Sequence, residues 1–96
     1  MKIPFTKDKF RKIIDNDIYV AYVNSLTYNC YTDYEDVEGN ICLGFVNEFD
    51  SDDEYILPWD NIRGIEYNPS SYAFTIYMDN GESYDVMLLT LYKPRW

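Results

Sequence analysis

The chain has 96 residues, of which 47% are hydrophobic, and its formal net charge at pH 7 is −9. This length fits a single domain spanning residues 1–96, and the composition suffices for a hydrophobic core. The negative charge argues against direct binding to nucleic acid and against docking on a membrane of anionic lipid, because both require a basic surface. The chain contains no histidine, which excludes histidine-dependent triads and most zinc sites.

The first predicted element is a short N-terminal helix over about residues 7–15. Thr6 is suited to cap it, and Phe10, Ile13 and Ile14 form one apolar stripe at helical spacing. Most of the basic residues lie in or beside this helix, namely Lys2, Lys7, Lys9, Arg11 and Lys12. The sequence leaves open whether they neutralise part of an acidic surface or form a separate contact, such as a homodimer interface.

Strands are predicted from Ile18 onward, where apolar residues recur at every second position. The first strand runs to Val23, and Leu26, Tyr28 and Cys30 are predicted to continue it after a turn or bulge at Asn24-Ser25. Glu38-Gly39-Asn40 is a further turn signal.

The middle of the chain predicts two more strands separated by acidic residues. A strand from Ile41 is predicted to place its apolar side chains, as far as Phe49, on one face. The residues Asp50 to Asp53 are predicted to end this strand. A short strand follows at residues 55–57 and is ended by Pro58.

The last part of the chain predicts a strand at residues 62–67 and then a hairpin. Residues 72–78 are dense in aromatic and β-branched side chains. Asn80-Gly81 favours a two-residue type I′ turn, which would place Phe74 opposite Met87. The sequence therefore predicts an α+β fold, in which a short N-terminal helix precedes a strongly bent antiparallel sheet of five to six strands. The C-terminal hairpin of this sheet is predicted to turn at Asn80-Gly81.

No residue is predicted to have a catalytic, cofactor-binding or metal-binding role. The sequence contains neither a glycine-rich phosphate loop nor a nucleophile elbow. The residues from Asp50 onward begin like a calcium loop, but Tyr55 and Asn61 occupy the positions that need Gly and Glu. With no visible signal peptide or membrane span, we expect a cytoplasmic protein in which Cys30 and Cys42 are reduced and buried. We expect it not to be an enzyme.

The strongest signal is the separation of charge along the chain. From Asp33 to Asp60 there are ten acidic residues and no basic residue. A solvated acidic surface that keeps the protein soluble explains this pattern without any partner. In an extended segment, however, acids at alternate positions lie on one side, about 6.6 Å apart. That spacing is close to the roughly 6–7 Å between neighbouring phosphates of one nucleic-acid strand.

Several tyrosines are flanked by these acids, and rigid amphipathic tyrosine beside aspartate makes a good contact surface. The acids at alternate positions are Glu48, Asp50, Asp52 and Glu54. The full set predicted to contact a partner is Asp33, Tyr34, Glu35, Asp36, Glu38, Glu48, Asp50, Asp52, Asp53, Glu54, Tyr55 and Asp60.

In its composition and its acidic run from Asp33 to Asp60, the chain resembles small acidic proteins of phages and mobile elements that mimic nucleic acid. Anti-CRISPR and anti-restriction inhibitors belong to this class. The resemblance implies a non-enzymatic inhibitor, in the host cytoplasm, that occupies the basic nucleic-acid-binding groove of a nuclease or CRISPR effector. The alternative is an acidic protein-binding module or a subunit of a larger assembly, including an immunity protein for a basic toxin. The sequence leaves open whether Trp59 and Trp96 belong to the core or to an interface.

Overall fold

A computed structural model describes residues 2–17 and 20–89 of the chain. The described residues form one α-helix, eight strands and a single 3-10 turn at Trp59–Asn61. In chain order the elements are β1 (Ile3–Phe5), α1 (Lys7–Asp17), β2 (Val20–Val23), β3 (Leu26–Glu35), β4 (Ile41–Asn47), β5 (Asp50–Pro58), β6 (Ile62–Asn68), β7 (Ala73–Met78) and β8 (Ser83–Leu89).

All eight strands belong to one antiparallel sheet with the order β1-β6-β7-β8-β2-β3-β4-β5. It contains two meanders, β2 to β5 and β6 to β8, which are joined where Ala21 of β2 pairs with Leu88 of β8. Strand β1 pairs with β6 at one border of the sheet. Strands β5 and β6 are far apart in this order, yet only the 3-10 turn Trp59–Asn61 connects them. Because three residues span at most about 11 Å, the sheet must curve strongly to bring the two strands together.

The antiparallel sheet and the N-terminal helix are as predicted, but the expected count of five to six strands is wrong. Strand β1 was not predicted, because it has three residues and contains Pro4. Strand β5 begins at Asp50, so the acidic residues extend a strand instead of breaking one. Phe49, predicted to share a strand face with Leu43 and Phe45, lies instead in the turn between β4 and β5 and is 93% exposed.

The C-terminal hairpin differs from its prediction by one residue in register. Met78 and Glu82 flank a loop of three residues, not two: the Met78 N–H donates to the Glu82 carbonyl at 2.9 Å. Gly81 ends the loop with a φ of +90°, which is the left-handed conformation expected there in three-residue hairpin loops. Phe74 therefore pairs with Val86 and not with Met87.

The core lies on the concave side of the sheet, where α1 packs. Phe10 of the helix is fully buried, and its ring centroid lies 4.9 Å from that of Phe74 on β7. The predicted cap is present, since the Lys9 N–H donates to the Thr6 hydroxyl at 3.1 Å. Trp59 belongs to this core: it is 8% exposed, and its indole N–H donates to a β3 carbonyl. Trp96 lies outside the described residues, as do Ile18 and Tyr19.

The two cysteines are free and buried, as predicted. Cys30 pairs with Phe45 and shares its core face, whereas Cys42 belongs to the alternate set of β4 positions on the outer face. Their positions on opposite faces of the sheet prevent a disulfide between them. Burial raises the pKa of the Cys30 thiol to about 12.

Candidate protein-binding surface

The ten acids from Asp33 to Asp60 gather at the two ends of the β3–β4–β5 portion of the sheet. Eight of them are exposed, and Asp36 and Asp53 are half-buried. Because adjacent strands are antiparallel, the two groups lie toward opposite ends of β4, which has seven residues and spans about 20 Å. We call one group the β3 acidic end (Asp33, Glu35, Glu38 and Asp60) and the other the β5 acidic edge (Glu48, Asp50, Asp52 and Glu54).

Asp36 shapes the turn between β3 and β4. Its carboxylate accepts the backbone N–H groups of Glu38 and Asn40, both at 2.9 Å. The Asn40 N–H is the main cause of the lowered pKa of Asp36. Gly39 completes the turn with a φ of +84°. The Asp36 carboxylate is therefore occupied within its own loop, although the sequence placed it among the partner contacts.

Asp53 is the second acid with an internal role. It accepts the hydroxyl of the buried Tyr28 at 2.8 Å and the side-chain amide of Asn47 at 3.0 Å. Burial, followed by this bond to Asp53, raises the pKa of Tyr28. Asp53 therefore points inward, whereas its neighbour Glu54 pairs with Val46 on the outer face.

Tyr55 also points inward and is not part of the exposed surface predicted for it. Its ring makes edge contacts with Tyr28 at 5.4 Å and with Tyr84 at 5.3 Å between centroids. The row of three rings connects β5 to β8 across the concave face. Burial, together with a hydrogen bond to Glu82, raises the pKa of Tyr84 to about 12.

The outer face of β3, β4 and β5 carries an aromatic and aliphatic patch between the two acidic groups. Tyr34 packs over Gly44 so closely that a Cβ on Gly44 would lie 2.9 Å from the Cβ of Tyr34. Tyr31 pairs with Gly44 and is 46% exposed, while Val46 and Ile56 are half-buried. We call Tyr31, Tyr34, Val46 and Ile56 the outer patch.

Of the outer patch, the predicted contact set includes Tyr34 alone. The sequence signal for this patch is the alternation of β4. Because Leu43 and Phe45 face the core, the alternate positions Gly44 and Val46 face outward. Gly44 was a second signal, because an isolated glycine in a strand often marks a close approach.

The β5 acidic edge is less regular than the even row expected from its spacing. Val46 pairs with Glu54, but the next residue, Asn47, pairs with Asp50, so three residues bulge out of the ladder. Glu48 lies in the preceding turn, and the Asp52 N–H donates to the Asp50 carboxylate at 3.1 Å. The acids therefore form a compact group at the strand's start and not a straight row.

Four of the five basic residues near the N-terminus, Lys2, Lys7, Lys9 and Arg11, contact the chain itself. Lys7 donates to the Trp59 carbonyl at 2.9 Å, and the Arg11 guanidinium lies 5.4 Å from the centroid of the same indole. The Lys9 ammonium lies 4.9 Å from the Phe5 ring centroid. These contacts hold α1 against the 3-10 turn and β1.

Among the described residues, no cluster of three or more Cys, Asp or Glu side chains is arranged to hold a metal ion. Helix α1, the one helix of the described ranges, does not have the length and apolar composition needed to cross a membrane. Comparisons of the chain with protein-family models, with curated proteins and with solved structures give no match.

Proposed function

We propose that this chain is a non-enzymatic inhibitor whose acidic surface occupies the basic nucleic-acid-binding groove of a nuclease or CRISPR effector. The observation that carries the proposal is the arrangement on the outer face of β3, β4 and β5. Two groups of exposed carboxylates, the β3 acidic end and the β5 acidic edge, lie on either side of the outer patch. The sequence has no basic residue between Asp33 and Asp60, and in space Arg11 of α1 lines a cavity together with Asp60 at the β3 acidic end.

This arrangement fits the chemistry of such a groove. Grooves for nucleic acid offer Lys and Arg to phosphates and flat side chains to bases. Carboxylates form charge-assisted hydrogen bonds with the same Lys and Arg groups. Tyr31 and Tyr34 supply ring faces on which guanidinium groups stack. An inhibitor of this kind acts by occupying the groove. It works in the cytoplasm, which is where the resemblance to phage inhibitors places its effector.

The outer patch also favours a second candidate function, an acidic protein-binding module or immunity protein. Protein interfaces combine an apolar centre with a polar rim, and Val46 and Ile56 beside Tyr31 have this composition. The two functions differ in one respect: only the inhibitor competes with nucleic acid for its partner.

Competition for nucleic acid is therefore the test. Purified restriction nucleases and CRISPR effectors are loaded with labelled duplex DNA, and the protein is titrated in. We expect one of them to lose its DNA competitively and to bind the protein more weakly as salt rises. A partner that binds the protein while retaining its DNA would support the binding module instead.

Two variants link the binding to the β5 acidic edge. Neutralising Glu48, Asp50, Asp52 and Glu54 together should slow association by about tenfold or more at low salt, because electrostatic steering is lost. Asp52→Asn and Asp8→Asn form a matched pair, since both remove one exposed carboxylate and Asp8 lies on α1. Equal effects of these two substitutions would mean that overall charge, and not this surface, directs binding.

A further inference from the structure

We infer that β5 receives an extended basic segment of the partner as an additional strand, in the cleft between β5 and the β7–β8 turn. This inference rests on the proposed binding to a basic protein and specifies how that protein is engaged. Strand β5 ends the sheet among the strands of residues 2–17 and 20–89, and over residues 54–58 it pairs regularly with β4. Such edges accept strands from other proteins through main-chain hydrogen bonds.

The positions of the free main-chain groups follow from Pro58. In an antiparallel pair, residues alternate between exchanging two hydrogen bonds and exchanging none. Pro58 has no N–H, so its pair with Cys42 is of the second kind. By alternation, Glu54 and Ile56 are also in pairs of the second kind, and their N–H and C=O groups point away from β4. The open edge therefore presents complete donor and acceptor groups at these two residues.

A cleft of about 300 Å³ lies beside the end of β5, and Ile56 lines it whereas Glu54 does not. Ile56 to Pro58 form one wall, and residues of the β7–β8 turn form the other. The ring of Tyr84 also lines it. An extended segment in the cleft would hydrogen-bond to β5 on one side and place side chains against the turn on the other.

The charges of the cleft determine the kind of segment that fits. Asp79 and Glu82 line it, and none of its lining residues within the described part of the chain is basic. Side chains of a strand alternate between faces, so the matching segment carries Lys or Arg at alternate positions. A second copy of β5 is a poor occupant, because Asp52 and Glu54 would meet the same acids of the other copy.

The test uses a defined probe, the peptide acetyl-Lys-Val-Lys-Val-Lys-Val-Lys-amide. In the free protein, the amides of Glu54 and Ile56 should exchange with solvent quickly, whereas those of Tyr55 and Leu57, bonded to β4, exchange slowly. Saturation with the peptide should slow exchange at Glu54 and Ile56 by about tenfold or more. A peptide of equal charge with proline in place of the central valine should give much less protection, because it lacks an N–H there.

Two results would overturn strand addition. One is saturable binding of the peptide with unchanged exchange at Glu54 and Ile56, which would mean contact through side chains alone. The other is the absence of saturable binding up to about 1 mM. A concentration-dependent dimer in sedimentation that protects the same two amides would also contradict the inference, since a second copy would then occupy the edge.

A variant separates this inference from the proposed function. Ile56→Pro removes one outward N–H and keeps the β4 ladder, because proline is tolerated where an edge N–H faces solvent. It should weaken peptide binding by about tenfold, whereas Ile56→Val should bind like the wild type. If Ile56→Pro does not fold, amide exchange of the wild type with and without the peptide still tests strand addition. If it folds and still displaces DNA from the effector with full affinity, strand addition is wrong and the inhibitor proposal stands.

Discussion

At the scale of single residues, acids that look alike in the sequence have different roles in the structure. Asp36 and Asp53 accept hydrogen bonds inside the domain, while Asp52 and Glu54 are exposed. The difference comes from turn geometry and from strand alternation, each of which depends on where a strand begins. A similar contrast among the glycines allows a direct test.

The glycines Gly81 and Gly64 should respond differently to substitution. A Cβ would meet nothing within 4 Å at either position, but only Gly81 has a positive φ. Gly81→Val should therefore lower the free energy of unfolding by about 1–3 kcal/mol through backbone strain alone. Gly64→Ala is the control and should cost little or nothing. Urea denaturation of both variants checks this, and equal stabilities would mean that the β7–β8 loop is not formed as described.

Asp36 should make the stability of the fold depend on acidity. Its pKa is lowered chiefly by the Asn40 N–H, so its ionised form is favoured in the folded state. The stabilisation is present at neutral pH and is lost as the pH falls through the lowered pKa. Asp36→Asn keeps an acceptor oxygen but does not titrate, so its stability relative to the wild type should rise as the pH falls. Chemical denaturation over a series of pH values measures this difference, and a constant difference would contradict it.

At the scale of elements, the place of the last turn was predicted correctly, but its conformation was not. Asn24 and Ser25 have φ values of 49° and 75°, which matches the two-residue type I′ turn that was expected at Asn80-Gly81. The pair Asn-Gly favours that turn locally, but the burial of Phe74 opposite Val86 requires the other register. A dipeptide does not contain this information, because a shift of one residue reverses every face of a strand.

Strand β5 shows why part of the candidate surface could not be predicted. Its acids predict a turn, yet Asp53, Tyr55 and Leu57 face inward and hold the strand against the sheet. The side chains that they contact, Tyr28 on β3 and Tyr84 on β8, are far from β5 in the sequence. The acidic run and the tyrosines were visible in the sequence, whereas the outer patch and the cleft needed the strand order.

In β5, the inward-facing Asp53 should contribute to folding, whereas the exposed acids should contribute to binding. Asp53→Ala leaves the Tyr28 hydroxyl without its partner and should lower stability by about 1–3 kcal/mol. Neutralising Glu48, Asp50, Asp52 and Glu54 together should leave stability equal or slightly higher, because exposed like charges repel one another. Thermal unfolding compares the two, and a large loss in the fourfold variant would show that its carboxylates stabilise the fold.

At the scale of the whole molecule, the net charge of −9 gives a simple prediction. The protein should not shift duplex DNA in a gel at moderate salt, since both carry negative charge. The fourfold neutral variant should also give no shift, because it remains acidic. A clear shift by either protein would contradict both the electrostatic interpretation and the proposed mimicry of nucleic acid.

The joining of the two meanders has a consequence for the protein during its synthesis. Strand β2 is made early, but its partner β8 comprises residues 83–89. Until those residues have been translated, the meander from β2 to β5 has an unpaired strand at each of its borders. Unpaired borders of this kind are prone to association with other nascent chains. At one border, the acids of β5 repel the same acids of other nascent chains. At the other border, β2 (Val20–Val23) contains no charged residue, so it can pair with another chain until β8 has been translated.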